Sequence, residues 1–167
     1  STIRTATATD NVGNGPGNLA TFTTVRDTTA PSAGTVSISE AATTMSVSGT
    51  TIAIATPAAN ATFTVTWTSI TESAGVASIS CPAVGGFSAA AGGSGNTRTC
   101  TYTATGSGYD ADGASTVRTA TATDNVGNGP GNLATFTTVR DTTAPTVTNV
   151  TSTLARSEEH TSELQSH

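Results

Sequence analysis

The sequence has no lysine in 167 residues, and charged residues of all kinds make up only 10% of it. The absence of lysine excludes Ser-Lys dyads and Schiff-base chemistry. The six basic residues are scattered arginines and the formal net charge is −5. This argues against a nucleic-acid partner, because phosphate contacts need clustered basic side chains. No apolar run reaches the roughly 18 residues of a membrane-spanning helix, so we expect no membrane span.

Threonine and glycine are abundant instead, with 39 and 17 residues. Threonine is β-branched and favours strands. The run FTVTWTS alternates, with Phe63, Val65 and Trp67 on one face, as in a strand that buries one side. Similar runs separated by Gly, Pro, Asn and Asp turns predict seven or eight strands in about 110 residues, an all-β antiparallel sandwich. Its predicted core consists of Phe63, Val65, Trp67, Ile79, Tyr102 and Phe136.

Two further features of this strand pattern bear on the fold. Leu133, Phe136 and Val139 are spaced by three, so either a bulge redirects one side chain or one of them faces solvent. The glycine-rich stretch VGGFSAAAGGSGN is expected to be a mobile loop that offers Phe87 as a contact.

One segment of the chain occurs twice. Residues 1–31 and 115–145 are identical at 30 of 31 positions, with Ile3 opposite Val117, at an offset of 114 residues. A period of one domain length predicts a tandem array. We therefore expect 1–27 to be the last two strands of a preceding repeat, 28–141 one complete repeat, and 142–155 a linker and the start of the next. Since the chain starts at Ser1, we expect an internal fragment.

The run TATDNVGNGPGN, followed by a strand and by VRDTTAP, resembles the closing hairpin and linker of tandem bacterial Ig-like domains. The resemblance implies an Ig-like sandwich in a secreted or cell-surface protein such as an adhesin, with neighbouring repeats as partners. Trp67 precedes both cysteines, unlike the antibody order. Ser115 and Thr116 stand where many relatives have a tyrosine, so Tyr109 either replaces the tyrosine corner or fills a loop. Without lysine, the isopeptide crosslinks of some such domains are excluded.

The C-terminal stretch RSEEHTSELQS (156–166) is similar to the codon-by-codon translation of a common sequencing adapter. We therefore expect 156–167 to be non-native. These residues hold both histidines, so the remaining chain has no Ser-His-Asp triad and we expect no enzyme. Asp110 and Asp112 lie in a turn, where paired carboxylates are typically solvated rather than catalytic.

Cys81 ends the strand-like run VASISC, and Cys100 lies within the strand-like run TRTCTYTA. A single disulfide is the economical interpretation, and two buried free thiols are the alternative. A disulfide would indicate an oxidising compartment and would stabilise the fold by about 3 kcal/mol.

Oxygen-bearing side chains gather in the predicted turns, and calcium, which takes six to eight oxygen ligands, is the candidate cofactor. One predicted set lies at the end where the chain enters the repeat, the leading end: Asp27, Asp124, Asn125 and Asn128. The other lies at the trailing end, where the chain leaves: Glu72, Asp110, Asp112 and Asp141. The alternative is ordinary turn chemistry, in which Asp and Asn bond to their own backbone.

These features predict a structural spacer or stalk repeat of an extracellular bacterial protein, in which near-identical copies provide length. The alternative is a binding module that holds a carbohydrate or a host protein through the loops at the leading end. The target of an adhesive tip is not identifiable from these residues.

Overall fold

The computed structural model describes residues 1–146, which form thirteen β-strands and no helix. The strands are β1 (Thr2–Ala8), β2 (Gly17–Thr24), β3 (Thr35–Glu40), β4 (Met45–Ser48), β5 (Thr51–Ile54), β6 (Thr62–Thr68), β7 (Val76–Ser80), β8 (Phe87–Ser94), β9 (Thr97–Ala104), β10 (Ser115–Arg118), β11 (Thr121–Asp124), β12 (Gly131–Asn132) and β13 (Phe136–Arg140). The start of a third repeat and the tail 156–167, both expected from the sequence, fall in 147–167, outside the described residues.

Strands β3 to β13 form two packed layers, which confirms the all-β sandwich. The front layer has the order β3-β6-β9-β8. The back layer consists of two ladders, β10-β13-β5-β4 and β12-β11-β7. Because β10 and β11 are successive parts of one extended segment, as are β12 and β13, the two ladders continue into each other. All pairings in these layers are antiparallel except β13 with β5, which is parallel.

The core lies between the layers, where the alternation of β6 buries Phe63, Val65 and Trp67. Tyr102 from β9 and Phe136 from β13 are also buried, and the ring of Phe63 stacks on that of Tyr102 with centroids 4.7 Å apart. These five predicted core residues are confirmed. The sixth, Ile79, is only partly buried at the margin of the core cluster.

The glycine-rich stretch is largely a strand, not the predicted mobile loop. Its residues form β8, which pairs with β9 along its whole length at the edge of the front layer. Phe87 is packed edge-on against Phe63, with ring centroids 5.2 Å apart. The prediction of a loop was wrong because small residues with little strand preference were assembled by pairing with a neighbour.

The three-residue spacing of Leu133 and Phe136 is accommodated by a break between β12 and β13. Both side chains are buried, and Val139 is partly exposed. In the break, the carbonyl of Ala134 accepts a hydrogen bond from Trp67 Nε1 at 2.7 Å. Of the two alternatives left by the sequence, an irregularity that redirects side chains is therefore the one observed.

The first two strands form a separate antiparallel hairpin. β1 pairs with β2, and every residue of both strands is exposed. This N-terminal hairpin (2–24) corresponds to residues 116–138 of the complete unit, which we call the closing hairpin.

Candidate functional site

A disulfide joins Cys81 and Cys100, which are 19 residues apart, and they are the chain's only cysteines. Cys81 follows β7 of the back layer and Cys100 lies in β9 of the front layer. The bridge therefore ties the two layers together, with Cys100 fully buried. This confirms the disulfide over the alternative of two free thiols.

The turn between β11 and β12 is organised around Asp124, whose side chain is only 2% exposed. Asp124 Oδ1 accepts hydrogen bonds from the backbone N–H of Val126 at 2.9 Å and of Asn128 at 2.7 Å. Its Oδ2 accepts one from Asn128 Nδ2 at 2.7 Å. The Asp124 carboxylate thus accepts three hydrogen bonds within the turn. Since a carboxylate has about four acceptor positions, the turn uses most of them.

The linker before the unit is attached to the leading end through Asp27. Asp27 Oδ2 accepts a hydrogen bond from Ser73 Oγ at 2.6 Å, and its Oδ1 accepts one from the N–H of Thr29 at 3.0 Å. The backbone of Ser32 then pairs with that of Thr71. These contacts fix the point at which the chain enters the sandwich.

Glu72 completes an acidic cluster at the leading end. One carboxylate oxygen from each of Asp27, Glu72 and Asp124 lies within 4.8 Å of the others. The sequence placed Glu72 at the trailing end, which was wrong. The cause is the β6–β7 connection, which returns to the linker because the strand before it, β6, is antiparallel to β3.

The cluster has an unsatisfied acceptor. Glu72 Oε1 accepts a hydrogen bond from the N–H of Ala74 at 2.8 Å, whereas Oε2 is buried and has no hydrogen-bond partner. Among residues 1–146 the only ion pair joins Arg118 to Asp110, so no arginine neutralises the cluster. A buried carboxylate oxygen with neither donor nor counter-charge is energetically unfavourable unless a cation or a proton satisfies it.

Hydrogen bonding keeps two members of the cluster charged. The hydroxyl of Ser73 and the N–H of Thr29 lower the pKa of Asp27. Burial raises the pKa of Asp124, but the hydrogen bonds from Asn128 and Val126 outweigh it, so that the pKa is lowered overall. Two anionic carboxylates beside the unpartnered oxygen of Glu72 make a site of negative potential.

The two asparagines of the predicted leading set serve the turn rather than the cluster directly. Asn128 donates to Asp124, as described. The side chain of Asn125 donates to the carbonyl of Ala74 at 2.9 Å, which ties the turn to the segment before β7. The amide nitrogens of both residues are therefore used as structural donors.

At the trailing end, Asp112 contacts the linker that follows the unit. Its Oδ1 accepts a hydrogen bond from the N–H of Thr142 at 2.7 Å, and its Oδ2 accepts one from the hydroxyl of Thr143 at 3.2 Å. Asp141 Oδ1 accepts the N–H of Thr143 at 3.0 Å. Bonds from Thr142 and Thr143 lower the pKa of Asp112. These two aspartates hold the linker rather than forming a second acidic cluster.

Asp110 has a different partner from Asp112. It forms an ion pair with Arg118 at 2.7 Å, and Arg118 also donates to the carbonyl of Ala83. Gly85 is needed beside it, since a Cβ at this position would lie 2.8 Å from the backbone nitrogen of Asp110. Asp110 is thus a structural acid, and the sequence gave no sign of its pairing with an arginine on the next strand.

Tyr109 anchors the same loop. Its hydroxyl donates to the carbonyl of Pro57 at 3.1 Å, and its ring packs edge-on against Phe87 and beneath the guanidinium of Arg140. This bond reaches 52 residues back along the chain, whereas a tyrosine corner bonds the backbone a few residues upstream, so Tyr109 does not replace the tyrosine corner; it anchors this loop to the segment before β6. Ser73, in contrast, was missed by sequence reasoning, because a lone serine between Glu72 and Ala74 carries no distinguishing pattern.

Within residues 1–146, no helix is long and apolar enough to cross a membrane. Comparisons of the chain with protein-family models, with curated proteins and with solved structures found no match.

Proposed function

We propose that the complete unit, residues 28–141, is a structural spacer repeat of a large extracellular bacterial surface or secreted protein such as an adhesin. The observation that carries the proposal is the attachment of the linker to the sandwich at both ends. Asp27 is bonded to Ser73 at the leading end, and Asp112 is bonded to Thr142 and Thr143 at the trailing end. The proposed role is mechanical and involves no catalysis.

Because the repeats are offset by 114 residues, the linker contacts at the leading end and at the trailing end combine into one junction between neighbouring units of an array. Asp141 is the repeat equivalent of Asp27, and both accept the N–H of the residue two positions later at 3.0 Å. In a tandem array, each linker would be held from behind by Asp112 of one unit and from ahead by Ser73 of the next. A short linker that is bonded to both neighbours and contains a proline restricts bending between units.

The strand order supports an Ig-like assignment. Counting along the chain, β3, β6, β8 and β9 take the places of strands A, B, D and E of an Ig sandwich, and the front-layer order is then A-B-E-D. The order β7-β11-β12 gives C-F-G in the back layer. These orders match those of the two sheets of a constant-type Ig domain, with β4 and β5 as additional strands beside β13 in the back layer. The disulfide connects strands C and E here, instead of the B–F pair of antibody domains.

The proposed extracellular location is supported by the disulfide, because disulfides persist in oxidising compartments and are rare in the cytosol. It is a structural bond between the two layers, not an isolated surface pair.

We further propose calcium at the acidic cluster. Asp27, Glu72 and Asp124 supply carboxylate oxygens within 4.8 Å of one another, and Glu72 Oε2 is buried without a donor. Calcium accepts such hard oxygen ligands and completes its shell of six to eight with carbonyls and water. Since Asp27 belongs to the linker, an ion there would connect the linker to the sandwich.

The alternative of a carbohydrate or host-protein site at the leading end is less well supported. Those loops are already engaged by the linker, through Asp27 with Ser73 and through Ser32 with Thr71. A ligand there would have to share the surface with the junction.

The first experiment compares a single unit, 28–141, with two such units joined head to tail, each melted in calcium and in chelator. The single unit lacks Asp27, whereas the joined pair supplies Asp141 to the second unit at the equivalent position. If calcium binds the junction, it should raise the Tm of the pair more than that of the single unit, because a ligand stabilises only the state that binds it. Equal shifts, or no shift, would contradict a junctional ion.

A second experiment tests the spacer itself. Small-angle scattering of one, two and three joined units should give a maximum dimension that grows in proportion to the number of units. Asp112→Ala in every unit should shorten and broaden the distance distribution, because the linker loses its trailing-end attachment. Glu40→Ala, which removes an exposed carboxylate from β3, is the matched control and should leave it unchanged. A chain that is already compact and flexible would refute the spacer.

A further inference from the structure

The outer side of the front layer carries a regular array of hydroxyl groups. Along β6 and β9 the inward residues alternate with threonines, so every outward position of these two central strands is a threonine. The two strands pair without a register shift, so their threonines lie opposite one another across the ladder. The opposed pairs are Thr62 with Thr103, Thr64 with Thr101, and Thr66 with Thr99.

The edge strands of the layer continue this array with small side chains. The outward serines and threonine of β3 lie opposite the threonines of β6, and the outward residues of β8 are serine, alanine or glycine. The charged residues of these four strands are Glu40 and Arg98, and both occupy inward positions, opposite Phe63 and Trp67. The outward side of the four strands therefore presents hydroxyl and methyl groups, with no charge and no aromatic ring.

This composition excludes several kinds of ligand. Nucleic acids and anionic membranes are bound through basic side chains. Bases are held by stacking on aromatic side chains, and sugar rings use the same kind of stacking. A surface that only has to remain soluble normally intersperses charges of both signs. The ligand that fits is uncharged and offers hydrogen-bond donors and acceptors in a repeating pattern.

Hydroxyl groups on a β-sheet repeat at two fixed intervals. Neighbouring strands lie about 4.7–4.9 Å apart, and alternate residues of one strand lie about 6.6–6.8 Å apart. The oxygen atoms of ice repeat at comparable intervals along the two axes of its prism face. Threonine suits such a lattice because its branched Cβ restricts χ1 and its hydroxyl both donates and accepts hydrogen bonds. The hydroxyls of Thr64 and Thr101 lie 3.2 Å apart, so they already bond to each other across the ladder.

The twist of the sheet makes β6 and β9 the centre of this surface. Adjacent strands are rotated by roughly 20–25°, so a flat crystal face contacts two neighbouring strands more evenly than four. β6 and β9 are neighbours in the middle of the layer, and their pairing contains no bulge. Most of their threonines are half-buried against one another, which holds the side chains in place.

We propose that the outer side of the front layer, centred on the threonines of β6 and β9, binds ice. The surface is built from strands between residues 35 and 104, so it involves neither the linkers nor the repeated hairpins. Ice binding goes beyond the spacer role and requires no calcium. In an array, each unit with the same surface would add a contact with one crystal, and such multivalency strengthens attachment.

The test uses the full chain and ice grown slowly from a dilute protein solution. The unaltered chain should be incorporated into the ice, and it should separate the melting and freezing temperatures of a small crystal. Thr66→Tyr places a ring in the middle of the central ladder, where a strand tolerates it, and should abolish both effects. Thr51→Tyr makes the same change at a half-buried outward threonine of β5 in the back layer, and should leave both effects unchanged.

The fluorescence of Trp67 and the Tm establish that each variant is folded. If Thr66→Tyr does not fold, Thr99→Lys replaces it, because this change puts a charge on the same surface and should abolish both effects as well. Exclusion of the unaltered chain from ice, or equal incorporation of the unaltered chain and the folded front-layer variant, would overturn the proposal. Binding to crystalline cellulose or chitin without incorporation into ice would also overturn it, and would assign the surface to a polysaccharide.

Discussion

Residues 2–24 and 116–138 differ at a single position, Ile3 against Val117, yet one is an exposed hairpin and the other is the wall of a core. Their turns and their strand register agree. They differ in the middle. Thr5 pairs with Thr21 in the first copy, whereas the second copy is interrupted between β10 and β11 and between β12 and β13.

The irregularity itself belongs to the hairpin, because the first copy has a register shift at the same place, between Thr5 and Thr7. In the second copy the rest of the unit, residues 32–114, which we call the sandwich body, widens this irregularity into a break. It draws the N–H of Ala134 to the carbonyl of Ala33, and Trp67 Nε1 to the carbonyl of Ala134. These bonds take the backbone at Ala134 out of the hairpin ladder, and Leu133 and Phe136 on either side both enter the core. The comparison therefore distinguishes the structure that the hairpin sequence adopts by itself from the changes that packing against the rest of the unit imposes on it.

The largest expected effect comes from removing an aromatic ring in each copy. Phe136→Ala should lower the free energy of unfolding of the unit by about 3–5 kcal/mol, because it deletes a buried ring from the core. Phe22→Ala, the same change in the exposed copy, should alter it by no more than about 0.5 kcal/mol. Chemical unfolding followed by the fluorescence of Trp67, the only tryptophan, measures both. Similar losses would show that the first hairpin also contributes to a core.

The next largest difference between the two copies is expected when the disulfide is removed. Replacing Cys81 and Cys100 by alanine should destabilise the unit by about 3 kcal/mol, because the loop-closing constraint on the unfolded chain is lost. Amide exchange should then become faster throughout β10 to β13, which depend on the body. Exchange in β1 and β2 should remain as it was. Faster exchange in β1 and β2 would mean that the N-terminal hairpin also depends on the body.

A smaller effect is expected from the turn aspartates. Asp124→Asn should lower the Tm of the unit by less than Phe136→Ala does. The fold lowers the pKa of Asp124 and so favours its charged form, and an amide would also set its own NH₂ against that of Asn128. Asp10→Asn makes the same change in the exposed turn. It should leave the Tm of the unit unaltered, and a fall there would contradict the independence of the two copies.

The smallest expected effect is on the pH dependence of stability, compared between the same two variants, Asp124→Asn and Asp10→Asn. A lowered folded pKa means that Asp124 contributes stability above the ordinary aspartate value of 3.8, and that this contribution is lost as the pH falls through the lowered pKa. The slope of stability against pH in this acid range should therefore become shallower in Asp124→Asn. It should be unchanged in Asp10→Asn, although hydrogen bonds from Asn14 also lower the pKa of Asp10. Equal slopes in all three chains would refute the assignment.

Much of the fold could be predicted because it rests on local patterns. The alternation around Phe63, Val65 and Trp67 correctly predicted a half-buried strand, and the two cysteines in strand-like runs correctly predicted a bridge. The glycine-rich stretch around Phe87 could not be assigned, since its edge strand exists through pairing with β9. Local sequence there carries little preference.

The acidic residues show the same division. The meeting of Asp27 and Asp124 at the leading end followed from strand order, and the structure brings them together. Glu72 was placed at the wrong end, and Asp110 was grouped with calcium ligands although it is paired with Arg118. Their positions depend on how loops of different strands return to one another. The partners are distant in sequence, 45 residues for Asp27 and Glu72, so no local pattern records them.

The sequence by itself determined the hairpin: its register and its turn built on an aspartate recur in both copies, because neighbouring residues make those bonds. The tertiary structure decided whether Leu and Phe of that hairpin are exposed or buried, whether the irregularity in its ladder widens into a break, and which carboxylates lie together. Those outcomes depend on contacts between segments far apart in the chain, and such contacts exist only when a body is present to make them.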